Sequence, residues 1–293
     1  MINVLLEKCF DITGHGMIRV GVSTVLLVLC ALLGSIAAFD LPSHPLIEQA
    51  KRESGMRLNY ALQNGARAEL TADGRSFYLL WFPANRNNAN PPPMIVTLHG
   101  HSSWASDEFY LWHKVAQNQG YGILAIQWWL GQGESIQDYL KPQEIYRIID
   151  RVLTRETIGP QRVLFHGFSR GAANSYAVTA MDCSTGKDYF ALIVANAGKS
   201  NSDYRPNREI EEGRFGQMPF KDTHWITFAG GKDPNPDRDG ISGMRQVAKW
   251  IQRFGGIMDL AIEDESAGHG GFHQNPDNML AAIKVFENRL RNR

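Results

Sequence analysis

Ser169 stands in the run Val163-Leu164-Phe165-His166-Gly167-Phe168-Ser169-Arg170-Gly171. Three apolar residues and a histidine lead there into a Gly-x-Ser-x-Gly, and a helix-compatible segment follows. A serine on such a sharp strand-to-helix turn holds its hydroxyl above a sheet, where a base can reach it. The two glycines allow close backbone approach and backbone angles that a Cβ would obstruct. With 28 glycines in 293 residues, chance alone supplies the pattern in about one such chain in seven, so the serine needs partners to carry weight. A hydroxyl attacks at neutral pH only when a base takes its proton and a third group orients that base. Two later runs offer these groups: Ala229-Gly230-Gly231-Lys232-Asp233, and Gly268-His269-Gly270-Gly271 after Glu263-Asp264-Glu265-Ser266-Ala267. His273 is a second candidate base. Asp237 and Asp203 are further candidate acids.

The elements that must position these residues follow from the apolar pattern. Strands are expected at 94–98, 121–128, 162–168, 190–196, 224–229 and 258–263, and helices at about 106–119, 135–156, 170–182, 240–254 and 276–291. Runs such as Leu192-Ile193-Val194 lack polar alternation, as strands covered on both faces do. Strict strand–helix alternation implies a mostly parallel sheet with right-handed crossovers. Upstream, Ala66-Arg67-Ala68-Glu69-Leu70 and Ser76-Phe77-Tyr78-Leu79-Leu80-Trp81-Phe82 flank an Asp73-Gly74 turn and read as an antiparallel hairpin at one edge. In open parallel sheets active groups collect at the carboxyl ends of strands. Ser169, Asp233 and His269 all follow such ends.

The order Ser, Asp, His is the one that accompanies a nucleophile elbow. Over roughly residues 66–290 the chain resembles the α/β-hydrolase superfamily. The resemblance rests on Gly167-Phe168-Ser169-Arg170-Gly171, Leu98-His99-Gly100-His101, Gly230-Gly231-Lys232-Asp233 and Gly268-His269-Gly270. Within it, the look is nearest to the polyhydroxyalkanoate depolymerase and feruloyl esterase-like branch. The resemblance implies an α/β-hydrolase fold with helices on both faces of the sheet. It makes Ser169 the nucleophile, His269 the general base and Asp233 the residue that fixes the imidazole tautomer, in a serine esterase working through an acyl-enzyme. The developing oxyanion needs amide donors. The Arg170 amide follows the nucleophile directly, and the amide of His101 (with Gly100 the alternative) comes from the loop after strand 94–98. His99 reads as a structural residue of that loop.

Trp104, Trp128 and Trp129 lie near the loops that should ring the site and are expected to form an aromatic substrate wall. The connection 198–223 is too short for a separate cap domain, so an open site is expected. Asn235, Asp237, Asp239 and Gly240 resemble part of a calcium loop, but Gln246 stands where its bidentate glutamate belongs. His269 and His273 have zinc-like spacing, which Gly270 and Gly271 oppose. No metal and no cofactor is therefore expected.

Thirty basic and thirty acidic side chains cancel, so there is no electrostatic case for nucleic acid. A small or polymeric ester is the expected partner, and oligomeric state stays open. Residues 20–38 carry no charge, Arg19 precedes them, and small residues at 35–38 suit cleavage. Residues 1–38 thus read as a signal peptide with Met1 or Met17 as the start, or as a retained membrane anchor through 18–38. An N-terminal helical lead-in (39–65) and one hydrolase domain (66–293) follow. If the leader is cleaved, only Cys183 remains, and no internal disulfide can form. The expected location is periplasmic or secreted. The rival readings are a serine peptidase on the same scaffold and a non-catalytic, membrane-tethered binding protein.

Overall fold

A computed structural model describes residues 41–87 and 89–292, so the expected signal or anchor at 1–38 lies outside the described residues. Strands β1 (Arg67–Leu70) and β2 (Phe77–Trp81) form the expected hairpin. After them come β3 (Met94–Leu98), β4 (Gly122–Ile126), β5 (Val163–Phe168), β6 (Phe190–Asn196), β7 (His224–Gly230) and β8 (Ile257–Asp264). Among the described residues these make one eight-stranded sheet in the order β1-β2-β4-β3-β5-β6-β7-β8. Pairings from β3 and β4 through to β8 are parallel, and β2 joins β4 antiparallel. The register brings Leu98 beside Gly167, Phe168 beside Asn196, and Gly230 beside Asp264. The carboxyl ends of the strands therefore meet along one edge, and the loops leaving them share one surface.

Around the sheet lie α3 (Ala105–Gln119), α4 (Pro142–Arg155), α5 (Arg170–Thr185), α7 (Ile241–Arg253), and α8 (Gly271–Gln274) with α9 (Pro276–Arg291). The two-residue period of β5 shows that both faces are covered. His166 points to Trp112 of α3 and Phe272 of α8, while a Cβ on the adjacent Gly167 would meet Gly171 and Ala172 of α5. The helix expected at 135–156 is divided. A 3-10 turn at Ile136–Asp138 precedes α4, which starts where Pro142 supplies its first turn. The strand expected to run to 128 stops at 126: beyond it the Trp128 N–H turns to His99 Nε2, and the Gln127 side chain accepts from Ala105 N–H and donates to Trp129 O.

The lead-in is two helices, α1 (Pro45–Glu53) and α2 (Gly55–Gln63), separated at Ser54. Ser54 Oγ donates to Asp107 Oδ1 at 2.9 Å, Arg57 pairs with the same carboxylate, and Gln49 donates to Gly131 O at 2.7 Å. The lead-in is thereby fastened to α3 and to the loop after β4. The connection 198–223 carries a short helix that the sequence pattern did not indicate, α6 (Arg205–Glu211). Among the described residues, no helix is long and apolar enough to cross a membrane.

Candidate active site

Ser169 joins β5 to α5 with φ 53° and ψ −116°, a strained backbone for a residue with a Cβ. Close packing enforces it. A Cβ at Gly167 would stand 2.5 Å from the Gly171 carbonyl oxygen, and one at Gly198 would run into the Ser169 carbonyl. The Ser169 amide donates to Asn196 O at 2.8 Å, so β6 holds the turn from the other side.

Two loops bring the remaining groups to this serine. Lys232 N–H donates to Ala267 O at 2.8 Å, and Gly230 passes against the backbone of Ala267 and Gly268 with no room for a side chain. The loops after β7 and β8 are thus joined backbone to backbone. In this setting His269 Nε2 lies 2.9 Å from Ser169 Oγ, and His269 Nδ1 lies 2.6 Å from Asp233 Oδ2. The second oxygen, Asp233 Oδ1, accepts from Asn235 N–H at 2.8 Å. The Asp233 side chain is fully buried, whereas that of His269 keeps 29% exposure. A buried carboxylate, an imidazole and a half-exposed hydroxyl in this order can take a proton from the hydroxyl and hold the resulting positive charge.

The loop after β3 borders the same serine. A Cβ at Gly100 would stand 3.6 Å from Ser169 Cβ and 2.9 Å from the Phe168 ring. His99 is buried; its Nδ1 bonds Gly100 O at 2.8 Å while its Nε2 accepts from Trp128 N–H. Burial holds its pKa down to about 4, so it is a neutral strut, as expected for that position. Arg170 is the first residue of α5, where amides have no partner within the helix. Its guanidinium donates to Glu134 O at 2.9 Å and lies 4.6 Å from the centre of the Tyr139 ring. The ring of His101 stacks over the same tyrosine.

The expected tryptophan wall is not realised. Trp104, Trp128 and Trp129 are 4%, 1% and 8% exposed. Trp128 donates to His99 O at 2.9 Å, Trp129 donates to Gly133 O, and Trp104 packs edge-on against Trp129. They brace the loops from behind. Tyr139 is the residue the sequence did not single out. Its hydroxyl accepts from Ser102 N–H at 3.0 Å, and its ring carries both His101 and Arg170.

The alternative site residues fall elsewhere. Asp237 and Asp203 are exposed. His273 turns to Trp112 and His166 with its Nε2 enclosed and unpartnered, so it cannot share a metal with His269. The calcium-loop pattern does not converge either, since Asp237 is exposed and the Asp239 carboxylate pairs with Arg238.

Among the described residues, two groups bring three potential ligands together: Asp233, Asp239 and His269, and Glu108, His166 and His273. In the first, the imidazole is already bonded on both sides. In the second, Thr97 donates to Glu108, and Trp112 N–H is directed at His166 Nδ1, where a cation would have to sit.

No protein-family model and no curated protein sequence matches this chain. Solved structures do. An esterase from Pyrobaculum calidifontis superposes with a TM-score of 0.56 at 13% identity, covering 89% of this chain and 97% of its own. Thermogutta terrifontis esterase 2, phosphoramylated by tabun, gives 0.55 at 16% identity, over 76% and 91%. An esterase/lipase from an uncultured bacterium gives 0.56 at 14% identity, over 92% and 98%. With its sheet order and serine turn, the chain has the α/β-hydrolase fold.

Proposed function

We propose that this α/β-hydrolase-fold protein is a carboxylic ester hydrolase that works through an acyl-enzyme. The observation that carries the reading is the continuous hydrogen-bonded line Asp233–His269–Ser169 on a strained turn. His269 Nε2 takes the Ser169 proton as Oγ attacks the ester carbonyl. Asp233 holds Nδ1 protonated and stabilises the imidazolium. The amides of Arg170 and of the 100–101 loop receive the oxyanion. His269 then protonates the departing alcohol, and water, activated by the same imidazole, releases the acid and regenerates Ser169. The esterases among the structural neighbours favour esters over peptides as substrates.

The test is turnover of short aryl esters together with labelling by a fluorophosphonate. Thermogutta esterase 2 is itself phosphoramylated by tabun. The wild-type chain should hydrolyse the esters and label at Ser169, and Ser169→Ala should abolish both while melting at the same temperature. A wild-type protein that neither labels nor turns over any ester would be the non-catalytic version of the fold. We also propose export, on the uncharged 20–38 segment behind Arg19; the N-terminal sequence of the mature protein tests it.

A further inference from the structure

Arg170 is the partly buried cation beside the nucleophile, and among the described residues no carboxylate pairs with it. Its partners are neutral: the Glu134 carbonyl at 2.9 Å and the face of Tyr139 at 4.6 Å. The side chain of Glu134, whose carbonyl accepts from the guanidinium, is 77% exposed and directs its carboxylate towards His101, 3.9 Å away. The first turn of α5 contains no acid, so the guanidinium stands where the helix dipole already repels a cation. The platform beneath it is fixed, because Tyr139 is 4% exposed and its hydroxyl holds Ser102. One turn along the same helix, Asn174 is buried with its amide nitrogen unpartnered, its oxygen being taken by Tyr204. A planar fork with unused N–H groups, preorganised on an aromatic face, suits a carboxylate that arrives with the substrate.

We infer that the side chain of Arg170 is the substrate-anion receptor of this site, and that the preferred esters are half-esters of dicarboxylic acids, with the free carboxylate on the acyl part. Tyr139, whose ring carries the guanidinium, bonds Ser102 in the loop that borders Ser169, and the acyl chain length that best joins the two groups is what the series of half-esters measures. This inference rests on the esterase reading and adds the substrate class to it.

The experiment compares aryl half-esters of succinic, glutaric and adipic acid with neutral aryl esters of the same acyl length. The uncatalysed rate is subtracted, because a succinate half-ester also attacks itself. In wild-type protein, kcat/KM for the best half-ester should exceed that of its neutral counterpart by about tenfold or more, as a charge-assisted hydrogen bond allows. The ratio should fall towards one in Arg170→Gln, drop below one in Arg170→Glu, and shrink in the wild type as salt is raised. A wild-type ratio near one at every chain length overturns the inference, as does a ratio that Arg170→Gln leaves unchanged. The salt series reads out the same charge if a variant does not fold. Turnover of the neutral esters and labelling of Ser169 report on the hydrolase reading separately. Their loss in the wild type would sink both ideas, whereas their survival with a flat ratio sinks this one only.

Discussion

Asparagine at position 233 has the shape of the aspartate it would replace, and the surrounding hydrogen bonds decide how it must sit. One oxygen of Asp233 accepts the Asn235 amide at 2.8 Å and the other faces His269 Nδ1 at 2.6 Å. An asparagine keeps its oxygen on Asn235 N–H, since the reverse orientation sets donor against donor. Its NH2 group then points at Nδ1 and can only donate. The imidazole proton is driven to Nε2, the nitrogen 2.9 Å from Ser169 Oγ, which can no longer take the serine's proton. The variant loses both the working tautomer and the negative charge behind the imidazolium. By analogy with the same replacement in serine hydrolases, kcat should fall by about 10⁴, or ~5.5 kcal/mol at ~1.36 kcal/mol per decade. Spectrophotometric turnover of p-nitrophenyl butyrate measures it, with a melting curve to show an intact fold. Asp237→Asn, at an exposed position, is the control and should stay within twofold of wild type. An Asp233→Asn enzyme within tenfold of wild type would refute the argument, and it would do so most sharply if Asp237→Asn were the damaging change.

Other expectations follow from the same packing. Gly198→Ala would push a methyl into the Ser169 carbonyl, so fluorophosphonate labelling should slow by more than tenfold, a shift of more than ~1.4 kcal/mol. Tyr139→Phe removes the acceptor for Ser102 N–H, at a residue held at φ 44°. Its kcat should drop about tenfold with little change in KM, and Ser102→Gly should restore much of the loss because glycine adopts that φ without strain. Burial raises the Asp182 carboxyl to about 7 from 3.8, with lesser effects from its hydrogen bonds. The folded state therefore binds this proton more tightly than the unfolded chain, and stability should decline as pH rises from about 4 to about 7. Asp182→Asn should flatten that decline, by at most a few kcal/mol at pH 8, in melting curves taken across the range.

Much of this arrangement was legible from local pattern. The strands at 94–98 and 190–196 and the helix at 276–291 have the expected bounds, because uninterrupted apolar runs and a proline-led helix start are local signals. Ser169, Asp233 and His269 were reachable because glycines mark the turns that carry them. What escaped depends on contacts between distant segments. The lead-in breaks at Ser54, whose hydroxyl reaches Asp107 in α3. The tryptophans near the loops face inward because His99 O and Gly133 O accept from two of them, partners that no sequence spacing reveals. Tyr139 lies in a polar stretch and gains its place only when the loops after β3, β4 and β5 come together.

The strained turn at Ser169 makes catalytic output a local thermometer. A serine held at φ 53° sits uphill, by roughly 1–3 kcal/mol, and the close backbone packing at Gly167, Gly171 and Gly198, with the Ser169 N–H bond to Asn196 O, keeps it there. Warming that loosens this packing lets residue 169 relax into ordinary helical geometry, drawing Oγ away from His269 while the eight strands remain paired. Turnover should then fade several degrees before the circular dichroism melt begins. Protein cooled from that interval should regain full rate at once, since nothing larger than one turn has to be rebuilt.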